Sequence, residues 1–391
     1  MIVWLSLLLL LAVLAWMYLL LGRHGFWRAV PRLKSSSSLI EDAPPVAVII
    51  PARDEALTIS TAVRSLLSQD YKGRIEVIVV DDQSRDRTAA IVQSLVPETG
   101  PTRRLELIGN SDRPVRWSGK LWAIKTGLDH LGACTENPAF LLLTDADIAH
   151  DVGNLSALMK RMVNERLDLV SVMVRLRTRS FWERLLIPPF VFFFQMLYPF
   201  TAVNKPDCII AAAAGGCVLL RRDAMRDAGG IEAIHGALID DVALARIIKS
   251  RPNGNRRIWL GHAEHTVSLR AYDELSSIWQ MVVRTADTQL DHSLFKLAGT
   301  VSGMALIYLS PSIAVLTWPL HQENIIGISG LLAWLMMSFA FQPTLRLYRT
   351  SIFWAPALPL AALLYTVMTI DSARRYRQGK GGVWKGRSFQ G

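Results

Sequence analysis

Long uncharged runs lie near both ends of the chain, whereas the middle mixes apolar and polar positions. The first run, 1–22, contains no charged residue and is long enough to cross a bilayer. Three more apolar runs, 297–320, 325–345 and 351–370, follow towards the other end. The pattern predicts a membrane protein with an N-terminal transmembrane anchor at 1–22, C-terminal transmembrane segments within 297–370, and a middle part outside the bilayer.

The middle of the chain alternates short apolar segments with segments of helical spacing. Strands are predicted at 46–50, 75–80, 105–108 and 140–143, and helices between them at 56–67, 87–95 and 120–131. Strands separated by helices of this length form βαβ units around a parallel sheet. The predicted fold class is therefore α/β, with a Rossmann-like domain at 46–292.

Two of the predicted strands end in pairs of carboxylates. Asp81 and Asp82 end the strand at 75–80, and Asp145 and Asp147 follow the strand at 140–143. Asp145 and Asp147 point to the same side of an extended chain, so both can reach one hard divalent cation. Because the carboxyl ends of parallel strands share one edge, we expect the two pairs to converge there. The alternative is an ordinary solvated acidic turn.

Basic residues follow the first apolar run, which favours an uncleaved anchor with its basic flank in the cytoplasm. These residues are Arg23, Arg28, Arg32 and Lys34. They lie in a basic, Ser- and Pro-rich linker predicted at 23–45.

Two other apolar segments allow more than one interpretation. The segment 181–203 is aromatic but contains three prolines, so we expect it to lie in the membrane interface rather than to span. The run at 351–370 also contains prolines and precedes a basic tail at 371–391. A re-entrant segment with the tail inside and a complete last span both fit this pattern.

The net charge of +10 is concentrated beside the apolar runs, which suits an anionic membrane surface and not nucleic acid. The three cysteines, Cys134, Cys208 and Cys217, form neither a CxxC pair nor a disulfide ladder. This pattern predicts a reducing compartment.

Six motifs resemble, in the same order, those of the family 2 glycosyltransferases, which use the GT-A nucleotide-sugar-binding fold. They are VIIPARDE at 48–55, VVDDQSRDRT at 79–88, Gly119-Lys120, TDAD at 144–147, Gly215-Gly216 followed by Arg221-Arg222, and Asp240-Asp241. The resemblance extends from about position 46 to position 290.

The resemblance implies a role for each matched residue. The implied donor-binding residues are Pro51, Arg53, Glu55, Asp82, Lys120 and Asp145. Asp82 would accept the ring N–H of the base, and Lys120 would add positive charge near the diphosphate; a solvated helix start is the alternative for Lys120. Asp147, with Asp145 on the metal or the ribose, would hold Mg²⁺ or Mn²⁺. Asp241, next to Asp240, would be the catalytic base.

The acceptor side departs from the pattern of many membrane members of the family. Gly215 and Gly216 match, but the family's Gln-x-x-Arg-Trp becomes Arg284 followed by Thr285, with Gln280 one position early. This departure favours transfer of a single sugar to a lipid over processive synthesis. The run RTADTQL at 284–290 resembles the bacterial hopene-associated glycosyltransferases, and the overall layout resembles ceramide glucosyltransferase. These resemblances imply a UDP-linked donor and a hopanoid acceptor.

The resulting hypothesis is a multi-pass protein of a bacterial-type inner membrane whose catalytic domain faces the cytoplasm. Its expected partners are a nucleotide sugar, a lipid acceptor and the membrane, and its expected cofactor is a divalent cation. Two alternatives stay open. One is a polysaccharide or polyprenyl-phosphate sugar transferase, and the other is a non-catalytic membrane scaffold that retains the fold.

Overall fold

A computed structural model describes residues 2–34, 43–133, 138–251 and 254–379. The predicted serine linker, Cys134 and most of the basic tail lie outside these residues. The chain forms two compact units. We call Pro31–Arg177 with Ala202–Arg270 the sheet unit. Among the described residues, the helical unit contains 2–30, Thr178–Thr201 and 271–379. The segments 178–201 and 271–292, which the sequence places in the domain 46–292, thus group with the apolar helices.

Eight strands form within the described residues, and all of them belong to one sheet. They are β1 (Val46–Ala52), β2 (Ile75–Asp81), β3 (Arg103–Gly109), β4 (Phe140–Thr144), β5 (Ile148–Ala149), β6 (Leu169–Arg175), β7 (Cys217–Arg221) and β8 (Ile258–Ser268).

The α-helices of the described residues are α1 (Ile2–Leu21), α2 (Ile59–Leu67), α3 (Thr88–Leu95), α4 (Gly119–Ala133), α5 (Asn154–Asn164), α6 (Phe181–Leu197), α7 (Phe200–Val203), α8 (Arg222–Asp227), α9 (Asp240–Ser250), α10 (Leu275–Val283), α11 (Ala286–Gln289), α12 (Leu294–Met304), α13 (Ser310–Leu316), α14 (Trp318–His321), α15 (Asn324–Leu347) and α16 (Leu358–Arg377).

The sheet has the strand order β3-β2-β1-β4-β7-β6-β8-β5. Strands β1 to β4 are parallel to one another where they pair, which confirms the predicted α/β fold class. Beyond β4 the sheet becomes mixed, because β7 pairs antiparallel with both β4 and β6. The first half is therefore a doubly covered parallel sheet. In the second half, β6 and β8 pair parallel with each other, whereas β7 and β5 run antiparallel to their neighbours.

Strand β1 is buried along its whole length, as expected for an apolar run without alternation. One of its faces packs in a core with α2 and α3, and α4 packs on the other face. Gly127 of α4 makes this close packing possible, because a Cβ there would lie 2.9 Å from Ile49 Cγ2 and 3.2 Å from Val80 Cγ2. The register pairs Ala52 with Asp81, so β1 and β2 end side by side.

Part of the predicted linker at 23–45 is hydrogen-bonded to the sheet. Leu33 N–H donates to the His262 carbonyl over 2.8 Å, and His262 N–H donates to the Pro31 carbonyl over 2.9 Å. Arg32 also pairs with Glu264 at 2.7 Å. His262 is buried, and burial together with Arg32 lowers the pKa of its imidazole to about 3. Residues 31–33 therefore extend the edge of β8.

In the helical unit, five helical segments of the described chain are long and apolar enough to cross a membrane. They are Ile2–Leu21, Phe181–Val203, Leu294–Leu316, Asn324–Leu347 and Ile352–Arg377. Helix α6 continues through Pro188 and Pro189, and Ser180 with Glu183 forms a capping box at its start. The interfacial position of 181–203 and the path of the last segment stay predictions. The basic tail begins as helix, because α16 continues to Arg377.

Aromatic contacts hold the helical unit together. Trp16 and Tyr308 meet edge to face at 5.5 Å, and Trp16 Nε1 donates to the Ile307 carbonyl over 2.7 Å. Phe192 meets Phe341 at 5.4 Å in the same geometry. The indole N–H of the buried Trp16 thus has a hydrogen-bond acceptor, which a buried polar group needs in apolar surroundings.

We predict opposite effects of alanine at two glycines of α4. Gly127→Ala forces a Cβ against β1 and β2 and should cost about 1–3 kcal/mol, the usual range for overpacking. Gly132→Ala, at an exposed position of the same helix, should be neutral or stabilise by up to about 1 kcal/mol through helix propensity. Thermal unfolding in detergent measures both variants. Equal melting temperatures for the two would contradict the packing described here.

Candidate functional site

The carboxyl ends of β1, β2 and β4 lie at one edge of the sheet, and β7 begins there. The register pairs Thr144, at the end of β4, with Cys217, at the start of β7. Thr144 Oγ1 also donates to the Gly216 carbonyl over 2.7 Å. The TDAD motif and the double glycine are therefore fixed to each other by strand pairing.

Lys120 connects two of the predicted site acids, Asp145 and Asp240. Its Nζ lies 2.9 Å from Asp145 Oδ1 and 3.1 Å from Asp240 Oδ2. Burial opposes the charge of this lysine, but the carboxylates outweigh burial and raise its pKa above the usual value. For Asp145, burial dominates over the opposing charge of Lys120, and the pKa is raised. The alternative of a solvated helix start does not describe Lys120, because its ammonium is ion-paired inside the site.

Asp241 lies beside this cluster at the start of α9. Its Oδ2 accepts the Gly215 N–H over 2.8 Å, and its Oδ1 accepts the Val242 N–H over 2.8 Å. Burial and the neighbouring charge of Asp240 raise the pKa of Asp241 to about 6, against the opposing effect of Lys120. A carboxylate with a pKa of about 6 is ionised near neutrality and still basic enough to accept a proton.

The two glycines leave room for these charges. A Cβ at Gly215 would lie 3.2 Å from Lys120 Nζ and 3.3 Å from Asp241 Oδ2. A Cβ at Gly216 would lie 3.1 Å from Val174 Cγ2. Both distances to Gly215 are shorter than ordinary contacts, so a side chain there would crowd the acids. The structure thus places Gly215 at the centre of the cluster and Gly216 against the core.

Asp147 belongs to a second cluster at the same edge. Its Oδ2 accepts hydrogen bonds from Arg270 Nε over 3.0 Å and from Ser268 Oγ over 3.2 Å. The same guanidinium reaches Glu55 Oε1 through its Nη2 at 2.5 Å. Glu55, predicted on the donor side, and Asp147, predicted as a metal ligand, are therefore joined by Arg270.

Asp82 is fully buried, which limits its predicted contact with a nucleotide base. Its Oδ1 accepts from Asn110 Nδ2 over 3.0 Å, and Arg53 Nη1 lies 3.6 Å from its Oδ2. Arg53 also donates to the Asp82 carbonyl, and Asn110 Oδ1 accepts from Thr126 over 2.7 Å. A base could reach this carboxylate only after these side chains moved. Pro51 is buried within β1, opposite Val80.

Gln280 and Arg284 are exposed on and just after α10, in the helical unit. The adjacent Trp279 donates to Asp371 of α16 over 2.8 Å, and Asp287 N–H donates to Ser372 Oγ over 3.0 Å. These contacts attach the segment to α16. The acceptor-channel role of Gln280 and Arg284 stays a prediction.

Two residues of the site, Asn110 and Arg270, were not predicted from the sequence. Asn110 directly follows β3, so a search of every predicted strand end would have included it. Arg270 lies two positions after β8, but this strand was not predicted as part of the sheet, because polar residues interrupt its apolar pattern. The local sequence therefore did not indicate that Arg270 belongs to the site.

Asp145 and Asp147 have the ligand chemistry of a hard divalent cation, because carboxylate oxygens are what Mg²⁺ and Mn²⁺ prefer. Within the described ranges no three His, Cys, Asp or Glu side chains form a ready-made cage. The pair therefore fits a cation that takes its other ligands from a bound diphosphate or from water, as Mg²⁺ commonly does.

Comparisons with known proteins find similarity to glycosyltransferases. Residues 47–229 match the sequence profile of glycosyl transferase family 2. One segment is 37% identical over 81 residues to the probable glycosyltransferase YdaM of Bacillus subtilis, covering 19% of each protein. Another is 32% identical over 108 residues to the 4,4'-diaponeurosporenoate glycosyltransferase of Staphylococcus haemolyticus, covering 28% of this chain and 25% of that protein. The chain thus spans a quarter or less of these relatives.

A solved structure matches over a longer part of the chain. The mannosyltransferase PcManGT from Pyrobaculum calidifontis, in complex with GDP-Man and Mn²⁺, has a TM-score of 0.52 at 20% identity. The match covers 94% of this chain and 98% of that one and shows a shared fold. The chain therefore has a mixed α/β, Rossmann-like GT-A fold, and its residues 47–229 are similar to glycosyl transferase family 2.

We predict that Lys120→Met destabilises the protein by about 1–3 kcal/mol, because it leaves two partly exposed carboxylates without their shared cation. The loss should shrink as the pH falls from 8 to 5, because Asp145, whose pKa is raised by burial, can then take up a proton. Lys125→Met is the matched control. It lies on the same helix, and its ammonium pairs with the exposed Asp129, so it should cost less than about 1 kcal/mol. Thermal unfolding at both pH values gives the comparison; similar losses for the two lysines would contradict the bridge.

Proposed function

We propose that this protein is an inverting glycosyltransferase that moves a sugar from a nucleotide donor to a hydroxyl group of a membrane lipid. The observation that carries the proposal is the cluster of Lys120, Asp145, Asp240 and Asp241 in a GT-A fold whose residues 47–229 match glycosyl transferase family 2. Sugar transfer from a diphosphate requires a base for the attacking hydroxyl and positive charge for the leaving group. The cluster contains a carboxylate that can act as the base and an ammonium that can supply the charge.

Asp241 is the proposed catalytic base. The N–H groups of Gly215 and Val242 orient its carboxylate, and its raised pKa suits it to remove the proton of an attacking hydroxyl. A single displacement with one base on the acceptor side inverts the anomeric centre. Asp240 contributes differently, because its carboxylate is held by Lys120. We assign it to positioning Lys120 and to keeping the proton affinity of Asp241 high.

The leaving diphosphate requires positive charge. Lys120 supplies part of it from the start of α4, and Asp145 and Asp147 would hold Mg²⁺ or Mn²⁺. A bound divalent cation neutralises the charge that develops on the leaving group. The Pyrobaculum mannosyltransferase is described with GDP-Man and Mn²⁺, and we propose ligands of the same classes for this chain. For the base, we propose uridine, with Asp82, Arg53 and Glu55 on the donor side.

A lipid acceptor is proposed from the apolar helices. Five segments of the described chain are of spanning length, and basic residues follow the first of them. Basic flanks remain in the cytoplasm, so we propose an inner-membrane protein with its sheet unit on the cytoplasmic side. One relative is named for 4,4'-diaponeurosporenoate, and the RTADTQL run resembles hopene-associated enzymes. We propose a hopanoid hydroxyl as the acceptor, with Gln280 and Arg284 beside its path.

The roles of two acids can be separated by experiment. Asp241→Asn should lower transfer by about 10²–10⁴-fold, the contribution of a placed base, while donor affinity stays close to wild type. Asp147→Asn should instead weaken the cation-dependent binding of the donor. Asp129→Asn, an exposed acid of α4, is the matched control and should change neither quantity.

The assay uses the full-length protein in detergent with radiolabelled nucleotide sugar and extracted lipid, and the label is followed into the organic phase. Donor affinity is measured separately by calorimetry. A labelled polymer or a phosphate-linked product would contradict the lipid-hydroxyl proposal. Equal losses of donor affinity in Asp241→Asn and Asp147→Asn would contradict the division of roles.

The pH dependence of transfer should follow the ionisation of Asp241. Because the carboxylate form accepts the proton, kcat/KM should fall about tenfold per pH unit below an apparent pKa near 6 and level off above it. Initial rates between pH 5 and pH 8 measure this profile. A rate that stays constant from pH 5 to pH 8 would exclude Asp241 as the base.

A further inference from the structure

Arg270 is the last residue of the sheet unit, and its guanidinium lies between two carboxylates of the site. Nη2 is 2.5 Å from Glu55 Oε1, and Nε is 3.0 Å from Asp147 Oδ2. The two acids follow different strands, β1 and β4, and both are largely buried, whereas Arg270 is about one-third exposed. The guanidinium thus covers the acids from the solvent side.

The two acids are held differently. Thr58 Oγ1 donates to Glu55 Oε2 over 3.1 Å, so Glu55 keeps its orientation independently of Arg270. Two hydrogen bonds are described for the side chain of Asp147, and its Oδ2 accepts both. One comes from Arg270, and the other is the longer 3.2 Å bond from Ser268. Arg270 can therefore release Asp147 while one of its nitrogens stays on Glu55.

The site carries an excess of negative charge, which Arg270 partly neutralises. Carboxylates outnumber cations here: Glu55, Asp145, Asp147, Asp240 and Asp241 face Lys120 and Arg270. Like charges at such short range raise one another's free energy, so Asp147 needs a counter-charge whenever no ligand is bound. A guanidinium that hydrogen-bonds to a carboxylate also occupies the space in which a metal ion would bind that oxygen.

We propose that Arg270 is a displaceable counter-ion of Asp147: it neutralises this acid in the donor-free protein and competes with the divalent cation for it. This inference rests on the cation site of the proposed function and adds its regulation. Arg270 weakens binding of the cation alone, so the cation binds well only together with the donor diphosphate, which adds ligands of its own. Glu55 is the anchor that retains the guanidinium after it leaves Asp147.

The test measures Mn²⁺ binding to the full-length protein in detergent, without donor, from the electron paramagnetic resonance signal of free Mn²⁺. Arg270→Ala should bind Mn²⁺ about tenfold more tightly, the equivalent of one charge-assisted hydrogen bond no longer in competition. Arg270→Lys keeps the charge and should stay close to wild type. A merely structural role of Arg270 would not raise the affinity.

A double-mutant cycle tests the anchor. Glu55→Gln should weaken Mn²⁺ binding when Arg270 is present, because the guanidinium then pairs with Asp147 alone, and should have no effect in the Arg270→Ala background. Weakening in both backgrounds would make Glu55 a ligand and would overturn its role as the anchor. Arg32→Ala, which removes an equally exposed arginine and its pair with Glu264 on β8, is the control and should leave the affinity unchanged.

The possible failures are distinguishable. Unchanged or weaker Mn²⁺ binding by Arg270→Ala, with wild type binding normally, overturns the competition but leaves the proposed function intact. No Mn²⁺ binding by either protein, together with donor binding in the presence of a chelator, overturns the cation of the proposed function and the competition with it.

Discussion

The ion-pair bridge from Lys120 to Asp145 and Asp240 is the interaction on which the site depends. The three residues come from the start of α4, the end of β4 and the start of α9, which are distant in the sequence. Carboxylates brought this close repel one another, so the single ammonium between them decides whether Asp145 and Asp240 can lie side by side. The geometry then demands Gly215, because any side chain there would enter the space between the ammonium and Asp241.

The sequence was sufficient for the first half of the sheet and insufficient for the second. Strands β1, β2 and β4 are short apolar runs buried on both faces, and such runs can be predicted as strands from the local sequence alone. Strand β8 contains buried polar side chains such as His262 and Ser268, which hide its apolar pattern. Its place depends on pairing with β6, a contact between distant segments that no local periodicity encodes.

The site shows the same limit. The acids at the ends of β2 and β4 were predicted from strand ends alone, but their surroundings were not. Asp82 is closed in by Asn110, which arrives from the end of β3. Asp147 is covered by Arg270, which follows a strand that the pattern did not reveal. Motifs thus located the charged groups, whereas the partners that decide their exposure come from elements brought together only by the fold.

Asp240 and Asp241 show how one helix start can give adjacent carboxylates different chemistry. Both lie in the first turn of α9, where the helix dipole favours negative charge. Asp240 pairs with Lys120. For Asp241, burial and the charge of Asp240 raise the pKa, and Lys120 and two backbone N–H groups offset this rise only in part. The result is one acid committed to holding the site together and one acid with raised proton affinity. Neighbouring groups whose environments differ in this way are how proteins separate structural from proton-transferring carboxylates.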